Sequence, residues 1–193
     1  MYPRYLLMCR RFLQALICAF IACSLSVAQQ RALTPDGKAV DPFSMSSGKV
    51  VVLIFVRTDC PISNRYAPTI RHLSTEYAGK AHFWLIYPDK SESDSAVEKH
   101  LRDYRYRIPA LRDRAHALVK HAHAQFTPEA AVFDGKGAMV YHGRIDNLYV
   151  SFGRARPAPT THELKDAIQA ALDGQPPPKA EVAGIGCYIS DLE

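Results

Sequence analysis

The chain has 193 residues, 48% of them hydrophobic and 22% charged, with a formal net charge of +5. That length and apolar content suffice for one domain with its own core. Residues 1–28 hold three arginines and no acid, which leaves 21 of the 24 basic residues against 19 acidic ones, a net +2 for the remainder, too little to make a case for nucleic acid.

Arg4, Arg10 and Arg11 precede an apolar run, Phe12 to Val27, that ends in Ser26-Val27-Ala28 ahead of Gln29-Gln30. The run is about 16 residues long, short of the roughly 20 that span a bilayer. With its small-x-Ala ending it reads as a secretory signal over residues 1–28, cleaved on export to the periplasm or beyond. Phe20-Ile21-Ala22-Cys23 offers an imperfect lipoprotein-type site, so that membrane association through a lipid anchor is the alternative; Arg10-Arg11 is a weak twin-arginine signal. Cleavage takes Cys9, Cys18 and Cys23 and leaves two cysteines, Cys60 and Cys187.

Residues 29–173 read as one domain. Arg31 to Ser47 is turn-rich, with Pro35-Asp36-Gly37 a tight turn between short strands. Lys49 to Val56, "KVVVLIFV", is continuous in large apolar residues after its lysine and fits a central strand buried on both faces. Tyr66 to Tyr77 reads as a helix kinked at Pro68, and His82 to Tyr87 as a second buried strand, with Phe83, Trp84 and Tyr87 in the core. Ser93 to Tyr104 is a helix capped by Ser93 or Ser95, and a short helix follows from about Ala115 to His123.

Ala130 to Phe133 and Met139 to His142 read as a hairpin around Asp134-Gly135. The last helix runs from about Thr161 to Leu172, with Thr160 and Glu163 at capping-box spacing and Gly174 past its end. This order predicts an α/β sandwich around a mixed sheet. Residues 174–193 form a Pro/Gly-rich, polyproline-like arm, which is long enough to lie across the domain and deliver Cys187 to a particular place.

The chemistry concentrates at Cys60, which follows the first buried strand and opens a helix. A cysteine there meets unpaired backbone N–H groups and the positive end of the helix macrodipole, and both favour thiolate. Pro61 suits the first helical position. Arg57 and Arg65 are candidates for added positive potential, and Asp59 works against them.

Strand, "DCPIS", Pro68 eight residues on, and "QFTPEAAVFDGKG" entering a hairpin together resemble the thioredoxin superfamily, in its redoxin branch of exported thiol-disulfide proteins and peroxiredoxins. The likeness covers roughly Lys49 to Ala171 and implies a thioredoxin-like three-layer sandwich, a mixed central sheet flanked by helices. It implies that Cys60 is a nucleophilic thiolate, that Thr127-Pro128 is the cis-proline loop receiving the substrate chain, and that Pro61 and Arg65 lie beside it. The implied substrate is a protein or small-molecule disulfide or peroxide, and the implied electron donor an external thiol or a membrane-linked protein. No metal or organic cofactor is implied.

The sequence also departs from its relatives. Ser63 stands where a thioredoxin has its second thiol; its hydroxyl can donate to the thiolate but cannot resolve a mixed disulfide. Ile54 occupies the place of the buried acid of thioredoxins. Arg57 and Leu53 replace the threonine and proline that shape a peroxiredoxin's peroxide pocket, with Thr58 one residue off, which weakens the thiol-peroxidase alternative. A copper-delivering binding module would want a CxxxC pair plus histidine, and its second cysteine is missing.

That leaves Cys187, flanked by Gly184 and Gly186, as the thiol that would meet Cys60 and complete a redox couple; a structural disulfide or a free thiol are its plainer roles. His116, His121 and His123 read as a solvated helix face, and Arg144 with Asp146 as a surface ion pair near the cleft.

Overall fold

A computed structural model describes residues 31–190; the expected signal segment, with Cys9, Cys18 and Cys23, lies outside the described residues. The strands are β1 (Ala32–Leu33), β2 (Ala39–Val40), β3 (Val50–Phe55), β4 (Ala81–Tyr87), β5 (Ala110–Arg112), β6 (Phe126–Thr127), β7 (Glu129–Phe133), β8 (Met139–Gly143), β9 (Tyr149–Ser151), β10 (Arg154–Ala155), β11 (Glu181–Val182) and β12 (Cys187–Tyr188). The helices are α1 (Pro61–Glu76), α2 (Asp94–Asp103), α3 (Ala117–His121) and α4 (Glu163–Leu172).

Eight strands form one mixed sheet in the order β11-β8-β7-β3-β4-β5-β1-β2. β3, β4 and β5 run parallel, while β7 lies antiparallel to β3 and β8 antiparallel to β7. β3 sits in the middle because every one of its residues is apolar and buried. Its side chains alternate: Val50, Val52 and Ile54 join the core under α1, α2 and α4, and Val51, Leu53 and Phe55 join the core under α3 and the N-terminal segment. Helices on one face, the sheet, and the thinner cover on the other are the three layers of a thioredoxin-like sandwich.

Several local expectations are corrected. α1 begins at Pro61, the first helical position expected after Cys60 though five residues ahead of the apolar periodicity, and continues through Pro68 to Glu76. It buries Ile62, Tyr66, Ala67, Ile70 and Leu73, a stripe at helical spacing. Ser93 is the cap of α2, accepting from Ala96 N at 3.1 Å. The capping box at α4 does not form: the helix starts at Glu163, whose carboxylate is bound by Arg144 and by the Thr161 hydroxyl. Thr160 instead accepts from Asn147 at 2.7 Å.

The histidines do not form a solvated face. His116 is 2% exposed with Nε2 2.9 Å from Pro88 O, His121 stacks on Phe133, and His123 is the exposed one. Arg144 and Asp146 do not pair with each other. Arg144 holds Glu163, and the buried Asp146 accepts from Tyr66 OH at 2.6 Å.

The arm is tied to the domain at two places. β11 adds to the edge of β8 in parallel, and β12 pairs antiparallel with β6, Cys187 opposite Thr127 and Tyr188 opposite Phe126. Among the described residues no helix is long and apolar enough to cross a membrane.

Candidate active site

Cys60 is the N-cap of α1, with extended backbone at φ −81°, ψ 112°, and Pro61 follows as the first helical residue. Its carbonyl accepts the first helical bond, from Asn64 N at 3.0 Å. β7 begins where β3 ends, Glu129 opposite Phe55, so the loop ahead of β7 lies beside the segment that follows β3. This register brings Thr127 to Cys60. The thiol donates to Thr127 O at 3.0 Å, and the Thr127–Pro128 peptide is cis.

Cys187 then arrives on the far side. As the partner of Thr127 in the β6–β12 ladder, it sets its thiol against the Cys60 sulfur, and both cysteines are free thiols. Cys60 is 0% exposed, and the Cys187 thiol lies beside it.

The electrostatics of the pair are asymmetric. Burial raises the Cys60 pKa, but hydrogen bonds from the Cys187 thiol and from the Ser63 hydroxyl and backbone N–H outweigh it, and the net shift is downward. The Ser63 hydroxyl is buried and without a hydrogen-bond partner among the described residues. It is therefore free to donate to the Cys60 sulfur, and a charged acceptor draws the stronger bond. Thr127 O acts the other way, favouring the protonated thiol. Burial and the adjacent Cys60 push the Cys187 thiol up to about 12.

Arg57 is held between Asp59 at 3.1 Å and Asp89 at 3.0 Å, so its charge is largely compensated. Arg65 and Pro61 are exposed on the first turns of α1. The donors that favour the Cys60 thiolate are Cys187 and Ser63.

Three supporting groups are not among those singled out from the sequence. Glu129, buried, accepts from Gln125 N (2.6 Å) and Phe126 N (3.1 Å) on one oxygen and from Gly184 N (3.1 Å) on the other, tying the Thr127 loop to the arm. Glu92 accepts from Thr58 N at 2.6 Å.

The third is a chain. Asn64 Nδ2 donates to Thr58 O at 3.1 Å, which leaves Asn64 Oδ1 to accept from His100 Nε2 at 2.7 Å, and His100 Nδ1 to accept from Tyr87 OH at 2.8 Å. Burial lowers the His100 pKa to about 4, so the ring is neutral and this direction of donation is the consistent one. Glu92 and Asn64 together fix the turn at Thr58 that aims Cys60. The one sequence signal for Glu129 is an acid opening an otherwise apolar strand, "PEAAVF".

The sequence profile of the redoxin family matches residues 25–148. No curated protein sequence matches the chain. Among solved structures, an uncharacterized conserved protein from Geobacillus kaustophilus is similar over 82% of this chain and 86% of its own, at 24% identity and a TM-score of 0.72. A secreted Mycobacterium tuberculosis disulfide oxidoreductase is similar over 76% and 96%, at 18% identity and a TM-score of 0.53. The pneumococcal exposed lipoprotein thioredoxin from Streptococcus pneumoniae is similar over 75% and 97%, at 21% identity and a TM-score of 0.54. At these identities the likenesses show the fold.

Proposed function

The chain belongs to the redoxin family, and from that premise we propose that it is an exported thiol-disulfide oxidoreductase in which Cys60 is the nucleophile and Cys187 resolves the intermediate. The observation that carries this reading is the β6–β12 pairing, which brings the only two cysteines outside the signal segment to one point. Export is supported by the pattern of residues 1–28 and by the likeness to secreted and surface-exposed thiol proteins.

The reaction runs in two exchanges. The Cys60 thiolate attacks one sulfur of a substrate disulfide; the Cys60–substrate bond forms, the substrate's own bond breaks, and the first thiolate leaves and takes up a proton. Thr127 offers backbone groups to the substrate chain beside the sulfur. Before the substrate binds, Cys187 is kept protonated by burial and by the adjacent Cys60. Once Cys60 is bonded its charge is gone and that restraint ends. Cys187 then attacks the Cys60 sulfur and expels the second substrate thiolate, which takes up the proton that Cys187 gives up. Two electrons pass to the substrate, the protein is left with a Cys60–Cys187 disulfide, and an external thiol reductant restores it.

Ser63 supports the first step as a donor and takes no part in the second. The test is disulfide reduction by the intact protein and by Cys60→Ser, with insulin as substrate. Activity in the former and its loss in the latter is expected; equal activity ends the reading. Hydrogen peroxide consumption far faster than by free cysteine would move the assignment to a thiol peroxidase.

A further inference from the structure

The strand that lays Cys187 beside Cys60 belongs to the protein itself and is held on both sides of its cysteine. Thr127 Oγ1 donates to Cys187 O at 3.3 Å, and Ile189 N donates to Gln125 O at 2.9 Å. Ile189 is 2% exposed in the core on the α3 side, while Tyr188 is 59% exposed and meets Phe126 edge-on. Upstream, Glu129 grips Gly184 N with one oxygen and the Gln125–Phe126 backbone with the other. The fit tolerates no side chain: a Cβ at Gly186 would overlap the Thr127 carbonyl, and one at Gly184 the Glu129 carboxylate.

A free backbone edge beside a reactive sulfur is what an extended polypeptide uses when it adds to a sheet as a strand. Here that edge, Phe126–Thr127, is already taken by β12. The arm and a partner strand exclude each other, because each backbone N–H and C=O of the edge serves one ladder. The geometry points to residues 184–189 as a built-in competitor for the strand-pairing edge of Thr127, latched by Glu129, which a polypeptide substrate must displace to reach Cys60.

This inference rests on Cys60 being the nucleophile of the proposed function. It also describes the partner. A strand that takes the same register meets the Thr127 carbonyl where Gly186 does, so the preferred partner is an extended segment with a glycine directly before its cysteine. The arm leaves to admit the substrate and, on returning, brings Cys187 back to Cys60 and expels the partner strand. Docking thereby couples resolution to release.

The test uses the full chain and its Gly186→Ala and Glu129→Gln variants, with iodoacetamide labelling of Cys60 followed by peptide mass spectrometry. The thiolate displaces iodide, so labelling reads access. At least ten-fold faster labelling is expected in both variants. A synthetic peptide of residues 183–190 carrying Cys187→Ser should slow labelling of Gly186→Ala, and a scrambled peptide should not. Labelling at the original rate in both variants, or protection by the scrambled peptide as well, overturns the inference.

If either variant fails to fold, the unaltered protein decides. The opening equilibrium obtained from Cys60 labelling should match that from hydrogen exchange of the Ile189 amide, and disagreement by more than ten-fold overturns the competitor. A Cys60 that labels faster in the variants yet releases no thiopyridone from dithiodipyridine sinks the oxidoreductase reading and leaves the competitor standing.

Discussion

Cys187 stands opposite Thr127 in a two-stranded ladder, and the Thr127 carbonyl is 3.0 Å from the Cys60 sulfur. Two cysteines 127 positions apart in the chain thereby share one buried site.

Oxidation of the protein should join them. Peptide mapping of the air-oxidised form is expected to yield a Cys60–Cys187 linkage. Closing so long a loop constrains the unfolded chain, and the oxidised form should be more stable than the reduced form by about 4–5 kcal/mol in urea titration. Intermolecular linkage or two free thiols would contradict the arrangement.

Ser63→Ala should raise the Cys60 pKa, because it removes one of the donors that lower it. Cys187→Ala should do the same and more, since its hydrogen bond is the leading favourable influence on the thiolate. Thiolate absorbance at 240 nm against pH reads both, and an unchanged or lowered value in either variant would contradict the assignment of donors.

Glu129→Ala should be the most damaging substitution near the site that leaves both cysteines in place. It strands three backbone N–H groups that the carboxylate now satisfies. The Gly184 N–H is buried and the other two are partly so, and at about 1–3 kcal/mol for an unsatisfied buried group a loss of at least about 1 kcal/mol is expected in denaturant unfolding. Glu129→Gln keeps some acceptor capacity and should lose less.

Acid should weaken the fold through His100. The folded ring titrates at about 4 against an ordinary value of 6.5, so below pH 6.5 the unfolded chain takes up a proton that the folded chain refuses. The stability this group contributes is complete above pH 6.5 and falls as pH drops toward 4. Burial of Glu92, Glu129 and Asp113 raises their pKa values and acts in the opposite sense. The comparison is therefore with His100→Gln, whose melting temperature should fall less between pH 7 and pH 4.5 than that of the unaltered protein. Parallel profiles would mean that His100 is not the proton acceptor.

What depends on near neighbours in the chain is legible from residue order alone. Seven apolar residues in a row, Val50 to Val56, make β3 a buried central strand, and a cysteine followed by proline makes Cys60 a helix cap. The thioredoxin-like order of elements follows from such local signals, and so does the placing of Thr127-Pro128 before an apolar strand.

Which of these pieces meet is a matter of long-range packing. Nothing near Cys187 in the chain says that it will face Thr127, because a two-residue ladder between segments 60 positions apart leaves no periodic trace in either. The same holds for the Glu129 carboxylate, whose three donors come from two separate segments, and for His116, which is buried against the carbonyl of Pro88 rather than left on a wet helix face. Local propensity and hydrophobic pattern specify elements; the satisfaction of buried polar groups and the pairing of short strands are settled only when distant parts of the chain compete for the same place.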